Sequence, residues 1–116
     1  MEIDSYDARD AVENPDGVHL AQLATGDRAS VQHFRIEPGA GVETHSHEHE
    51  QLGFVNEGEL VFTVGGEARV VEADDAYVIP ADEPHAAENR GDDAVVGIEV
   101  FAPARQTPPW TEEGDS

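Results

Sequence analysis

The sequence predicts an all-β sandwich or barrel, and three observations carry that expectation. No window shows a long apolar repeat at helical spacing. Short apolar runs of strand length recur instead, with turn-forming residues between them about every ten positions. A length of 116 residues suits one hydrophobic core and is too short for a core plus an independent second domain. Residues 1–116 are therefore expected to form a single domain, with a barrel core at about 29–102 and an arm at each end.

In chain order, 1–16 is acid-rich with a proline, and is expected to lie over the outside or to form a dimer contact. Runs 18–24 and 29–37 read as paired strands joined by Thr25-Gly26-Asp27-Arg28. Within the second, Val31, His33 and Arg35 alternate with Gln32, Phe34 and Ile36, so polarity leaves both faces open to burial. Runs 52–55, 60–64 and 68–72 follow, and Gly65-Gly66 between the last two is a two-residue hairpin signal. Runs 76–79, 85–89 and 94–101 complete the set, and 106–116 forms the second arm.

Charge is the second strong signal. There are 26 acidic residues against 6 basic ones, a net charge of -20, and every basic residue is an Arg. Self-repulsion of this size opposes the compact state in dilute buffer, whereas molar salt shortens the Debye length to about 3 Å and removes most of the penalty. The acids are spread along the whole chain, which argues against an acidic disordered tail and for a halophilic protein in a salt-rich cytoplasm. Thermal stability is accordingly expected to rise steeply between low and molar salt; a flat melting profile across that range contradicts the reading. Nucleic acid and anionic membranes are disfavoured as partners, because no basic patch exists to meet phosphates. Cysteine is absent, which excludes disulfides and thiolate ligands. The start, Met1-Glu2-Ile3-Asp4-Ser5, has neither a basic cluster nor an apolar run, so an unexported, cytoplasmic protein is expected.

The chemistry concentrates in Gly39-Ala40-Gly41-Val42-Glu43-Thr44-His45-Ser46-His47-Glu48-His49-Glu50-Gln51. A spacing of two in extended chain puts His45 and His47 on one face, and imidazole is the commonest protein ligand for transition metals. A solvated loop is the competing reading, since Glu48 and Glu50 alternate with the histidines. His85, at a later strand, supplies a third imidazole. Strict alternation would also bring His49 to the same face as a ligand or supporting partner. His19 and His33 stand in other strands without a motif and read as structural.

These stretches resemble the cupin family. Its first motif is Gly, five residues, His-x-His, three or four residues, Glu, six residues, Gly, matched here by Gly39, His45, His47, Gln51 in the Glu place and Gly58. Its second is Gly, five residues, Pro-x-Gly, two residues, His, three residues, Asn. Pro80, His85 and Asn89 match it, with Asp74 and Asp82 in the Gly places. Both departures are mild, because Asp tolerates the left-handed backbone that Gly adopts in turns. The resemblance implies a single-domain jelly-roll β-barrel, a homodimer, and one divalent transition metal per chain held by His45, His47, Gln51 and His85. Nickel, iron, manganese and zinc all suit three nitrogens and one oxygen. With Gln in place of Glu the ion's charge is uncompensated, which makes it a stronger Lewis acid.

A narrower resemblance follows. His45-Ser46-His47-Glu48-His49-Glu50-Gln51 with Gly58-Glu59-Leu60, and the closing Glu99-Val100-Phe101-Ala102-Pro103-Ala104-Arg105, are similar to small cupins of the pectin-degradation KdgF type. That resemblance implies an isomerase that opens cyclic 4,5-unsaturated uronates from pectin or alginate into linear keto sugars. Its substrate would be a carboxylated sugar, and Glu99, Phe101 and Arg105 would be the working residues. Glu99 would move a proton, Arg105 would hold the substrate carboxylate, and Phe101 would pack on the sugar face. Glu99 stands where that group has Asp, one methylene longer. An ordinary edge strand with a surface ion pair is the bland alternative for these three. Two other functions stay open: a dioxygenase or lyase using Tyr77 or Tyr6 as acid or base, and a non-catalytic sugar or metal sensor.

Overall fold

The computed structural model describes residues 1–105; the second arm, 106–116, lies outside them. Among these residues there are one 3-10 turn, Ala8–Asp10, and ten strands. The first five are β1 (Val12–Glu13), β2 (Val18–Thr25), β3 (Ser30–Ile36), β4 (Gly41–His45) and β5 (Glu50–Glu57). The others are β6 (Glu59–Val64), β7 (Glu67–Glu72), β8 (Ala76–Ile79), β9 (His85–Glu88) and β10 (Val95–Ala102). Two antiparallel sheets result, one in the order β1-β2-β3-β10-β5-β8 and the other β4-β9-β6-β7. They face each other across the core as the expected jelly roll. No described helix is long and apolar enough to cross a membrane.

Every expected strand is present to within two residues at each end. β1 and β4 were not expected, for a common reason: neither has an apolar run, and β4 ends in the exposed residues Glu43, Thr44 and His45. Between β6 and β7, Gly65 and Gly66 have φ of 60° and 80°, the left-handed pair that a type I′ hairpin requires. Asp74 and Asp82 have φ of 73° and 65°, so both take the left-handed conformation of the glycines they replace.

The apolar core joins Val18, Phe34, Ile36, Val55, Leu60, Phe62, Ile79 and Val95 from both sheets. Full burial of a side chain such as Phe34 or Leu60 contributes about 1.5–3 kcal/mol each. On β3 the inward face is Ser30, Gln32, Phe34 and Ile36, which resolves the ambiguity of its alternation. Val31, His33 and Arg35 turn outward, and Tyr6 of the first arm stacks on His33 with ring centroids 3.7 Å apart.

Asn89 is fully buried and works as a clamp. Its Nδ2 donates to the carbonyls of Ile36 and Asp93 at 3.0 and 2.8 Å, and its Oδ1 accepts from the Gly91 N–H at 3.0 Å. The turn between β9 and β10 is thereby tied to β3.

Candidate metal centre

His45 ends β4, His85 begins β9, and the two are direct partners in the four-stranded sheet. His47 lies on the segment that crosses to β5 in the other sheet, where its carbonyl accepts from the Asp82 N–H at 2.8 Å. One ring nitrogen from each histidine lies within 4.8 Å of the other two. His45 is exposed, His47 half-buried and His85 buried, so the cluster forms a rim over a closed floor. Strand alternation does not carry on to His49, because residues 46–49 lie between β4 and β5 and the chain bends at 48–49. Regular alternation resumes on β5, whose inward residues are Gln51, Gly53 and Val55.

The hydrogen bonds decide the tautomers. Nδ1 of His45 faces the carbonyl of Glu43 at 2.9 Å, that of His47 the carbonyl of His49 at 2.9 Å, and that of His85 the carbonyl of Glu83 at 2.8 Å. A carbonyl only accepts, so each Nδ1 carries the proton and each Nε2 of a neutral ring presents a lone pair. Nε2 of His85 is buried without a hydrogen-bond partner. Nε2 of His47 stands 3.0 Å from Oε1 of Gln51, two acceptors face to face. With the amide in this orientation, a proton on His47 or a cation bound by both atoms would relieve the opposition. Burial first, then the positive Arg105, hold the His47 pKa below its ordinary value, which disfavours the proton. A separation near 3 Å is that of neighbouring ligands at about 2.1 Å from one octahedral ion. The donor set therefore fits a divalent cation, with three imidazoles and the Gln51 oxygen as candidate ligands.

A pH dependence follows. Burial also lowers the His85 pKa. Both rings must be neutral to bind a metal, so affinity is expected to hold level above pH 6.5, the ordinary histidine value. It should fall only at lower pH, as protons return to Nε2. Cobalt titrations at stepped pH check this, and a decline that begins above pH 7 contradicts it.

The closing residues meet the histidines from the other side. β10 lies between β3 and β5, so it is an interior strand and the edge-strand reading of Glu99, Phe101 and Arg105 does not hold. Glu99 pairs with Gly53 and Phe101 with Gln51. Nε2 of Gln51 donates to Oε2 of Glu99 in a short hydrogen bond. Burial raises the Glu99 pKa to about 7, with Arg105 opposing the shift. The Arg105 guanidinium sits over the Phe101 ring, 3.8 Å from its centroid. Its main chain is pinned to Ser30 Oγ and Gln22 Nε2 at 2.8 and 2.7 Å.

The structure places Phe101 differently from the expectation of a sugar platform. Its ring is 2% exposed, with Arg105 over one face and the edges of His47 and His49 against it. It supports the guanidinium and the imidazoles. The two tyrosines considered as acid or base stand in different places. Tyr6 stacks on the outer face of the six-stranded sheet, and the Tyr77 hydroxyl is buried beside Gln51. His45, Gln51, His85, Glu99, Phe101 and Arg105 line one cavity of about 300 Å³, whose deeper wall is apolar. Sequence reasoning missed Gln32, which is buried, lines this cavity and pairs with Glu99. Its shared inward face with Phe34 and Ile36 was the available signal.

Comparison with known proteins agrees with this architecture. The model of the family described as Cupin domain matches residues 32–101. The H2HPP isomerase of Bacillus subtilis is 34% identical over 90 residues, which make up 77% of this chain and 38% of that protein. The solved structure of KdgF from Halomonas sp. superposes with a TM-score of 0.81 at 26% identity, covering 91% of this chain and 96% of that one. An RmlC-like cupin from Shewanella frigidimarina gives a TM-score of 0.77, also at 26% identity, over 91% and 95% of the two chains.

Proposed function

Since this chain belongs to the cupin domain family, we propose that it is a metal-dependent isomerase acting on a small carboxylated sugar. Its substrates are 4,5-unsaturated uronates, converted from the cyclic to the linear keto form. One observation carries the reading: a carboxyl whose pKa burial raises to about 7 meets Gln51 in a cavity shared with the imidazoles of His45 and His85 and a guanidinium. Such a carboxyl can both take and return a proton at physiological pH. The likeness to KdgF and to a protein named as an isomerase supports the same class of chemistry.

When bound by His45, His47, His85 and Gln51, a divalent ion would supply Lewis acidity toward a substrate oxygen. Arg105 offers its N–H groups to the uronate carboxylate, and its Nε is buried without a partner among the described residues. Phe101 holds the guanidinium in place from beneath. Glu99, kept aimed by the Gln51 N–H, takes the proton of the anomeric hydroxyl. The ring C–O bond then breaks, leaving an aldehyde and an enolate, and the enolate becomes a ketone as Glu99 returns its proton to the neighbouring carbon. Protons balance, so no oxidant or second substrate is needed. The apolar deeper wall limits water around the reacting atoms.

The test is a proton NMR time course of 4,5-unsaturated galacturonate in molar salt with metal-loaded protein, using His47→Ala as control. The cyclic signals should disappear faster with the wild type than with the variant or buffer. Equal rates in all three overturn the uronate assignment.

A further inference from the structure

Tyr77 faces inward on β8 but is not part of the cavity wall described above. Its partner in register is Gly53 on β5, and the partner of Gly53 on the other side is Glu99 on β10. A Cβ at Gly53 would lie 2.1 Å from Cζ of Tyr77 and 2.2 Å from its hydroxyl oxygen. Only a missing side chain lets the ring cross β5, where it packs on Phe62 with centroids 4.6 Å apart. The crossing carries the hydroxyl into the barrel, next to Gln51 and within electrostatic reach of Glu99. There it is buried without a well-aligned hydrogen-bond partner, although it is near enough to the Gln51 amide for that group to act on its ionisation. A buried hydroxyl in such a position calls for an explanation.

The Gln51 amide has two chemically different ends. Its Nε2 donates to Glu99 and its Oε1 faces Nε2 of His47. A half-turn about the last bond would set the carbonyl against the Glu99 carboxyl and point an NH2 at the imidazoles, which removes the oxygen ligand. One N–H of the amide goes to Glu99. The second is left for another acceptor, and the Tyr77 hydroxyl oxygen over Gly53 is near enough to the Gln51 amide for that amide to act on it.

We propose that Tyr77 is a positioning residue: across the gap left by Gly53, its hydroxyl accepts the second N–H of Gln51 and so keeps Oε1 turned toward the metal ion. The hydroxyl's own proton goes to Glu99, closing a three-membered network. This role rests on the reading of His45, His47, Gln51 and His85 as the metal centre. It adds a residue that no ligand motif contains.

Cobalt(II) titration of the full chain, followed by visible absorption, separates the two claims. The wild type should bind one cobalt and His47→Ala should lose it. Tyr77→Phe keeps the ring and should weaken cobalt binding roughly tenfold or more, with a shift of the absorption bands. Gly53→Ala, which displaces the ring, should do the same; if it does not fold, Tyr77→Phe alone decides. In a Gln51→Glu background both ends of the side chain are oxygen, so Tyr77→Phe should then change affinity by no more than about twofold. Tyr77→Phe within twofold of wild type, or an equal loss in the Gln51→Glu background, overturns the positioning role and leaves the metal centre standing. Cobalt binding that is the same in wild type and His47→Ala overturns the metal centre and the role together.

Discussion

Replacing Glu99 with Gln is expected to lower kcat for uronate ring opening by about 10²–10⁴-fold while KM changes little. The amide keeps the shape of the side chain and can still meet Gln51, but it can no longer accept and return a proton. Two companion measurements tie the loss to proton transfer. First, Glu99 acts initially as a base, so kcat/KM of the wild type should rise with pH through about 7, the value to which burial raises its pKa. That step should vanish in Glu99→Gln. Second, Glu99→Asp restores a titrating carboxyl but withdraws it by more than about 1 Å, which should leave a loss on the order of a hundredfold. A Gln variant within threefold of wild type, or an unchanged pH profile, removes Glu99 from the chemistry.

Replacing His85 with Ala is expected to cut divalent-metal affinity by at least about a hundredfold, more than the loss of an outer partner of a metal ligand. His85 is 2% exposed, its Nδ1 is occupied by the Glu83 carbonyl, and its Nε2 is buried without a partner. No other described histidine is placed to substitute: His49 lies outside the cluster of ring nitrogens. Chelator competition with nickel or cobalt measures the loss, and added imidazole should recover part of it by occupying the vacated space. Affinity within tenfold of the wild type would mean that the metal is held elsewhere.

Much of the fold was legible locally. Strand-length runs and turn residues located eight of the ten strands, and Gly65-Gly66 marked a hairpin that has the backbone angles its residues imply. β4 was hidden because its residues are polar and exposed, so it lacks the apolar run by which strands are recognised. It is a strand because it pairs with β9, a contact made across forty or more residues of chain.

The site divides in the same way. The residue types and spacing of His45, His47 and His85 point to metal-binding chemistry, since imidazoles carry that chemistry where they converge. Which side chain stands with them was a matter of chain direction: the bend at 48–49 takes His49 out of step and brings Gln51 inward. Likewise, nothing in the residues around Glu99 says that it meets Gln51, because that contact depends on the register of β10 against β5. Its pKa near 7 depends on burial beneath neighbours distant in sequence. By itself the sequence determined the all-β architecture, the glycine-like turns and the metal-ligand chemistry, all of which follow from short-range patterns. Only the tertiary structure decided which carboxyl meets Gln51, where Phe101 and Tyr77 stand and which face of β3 is buried, because register and desolvation arise only when distant strands pack together.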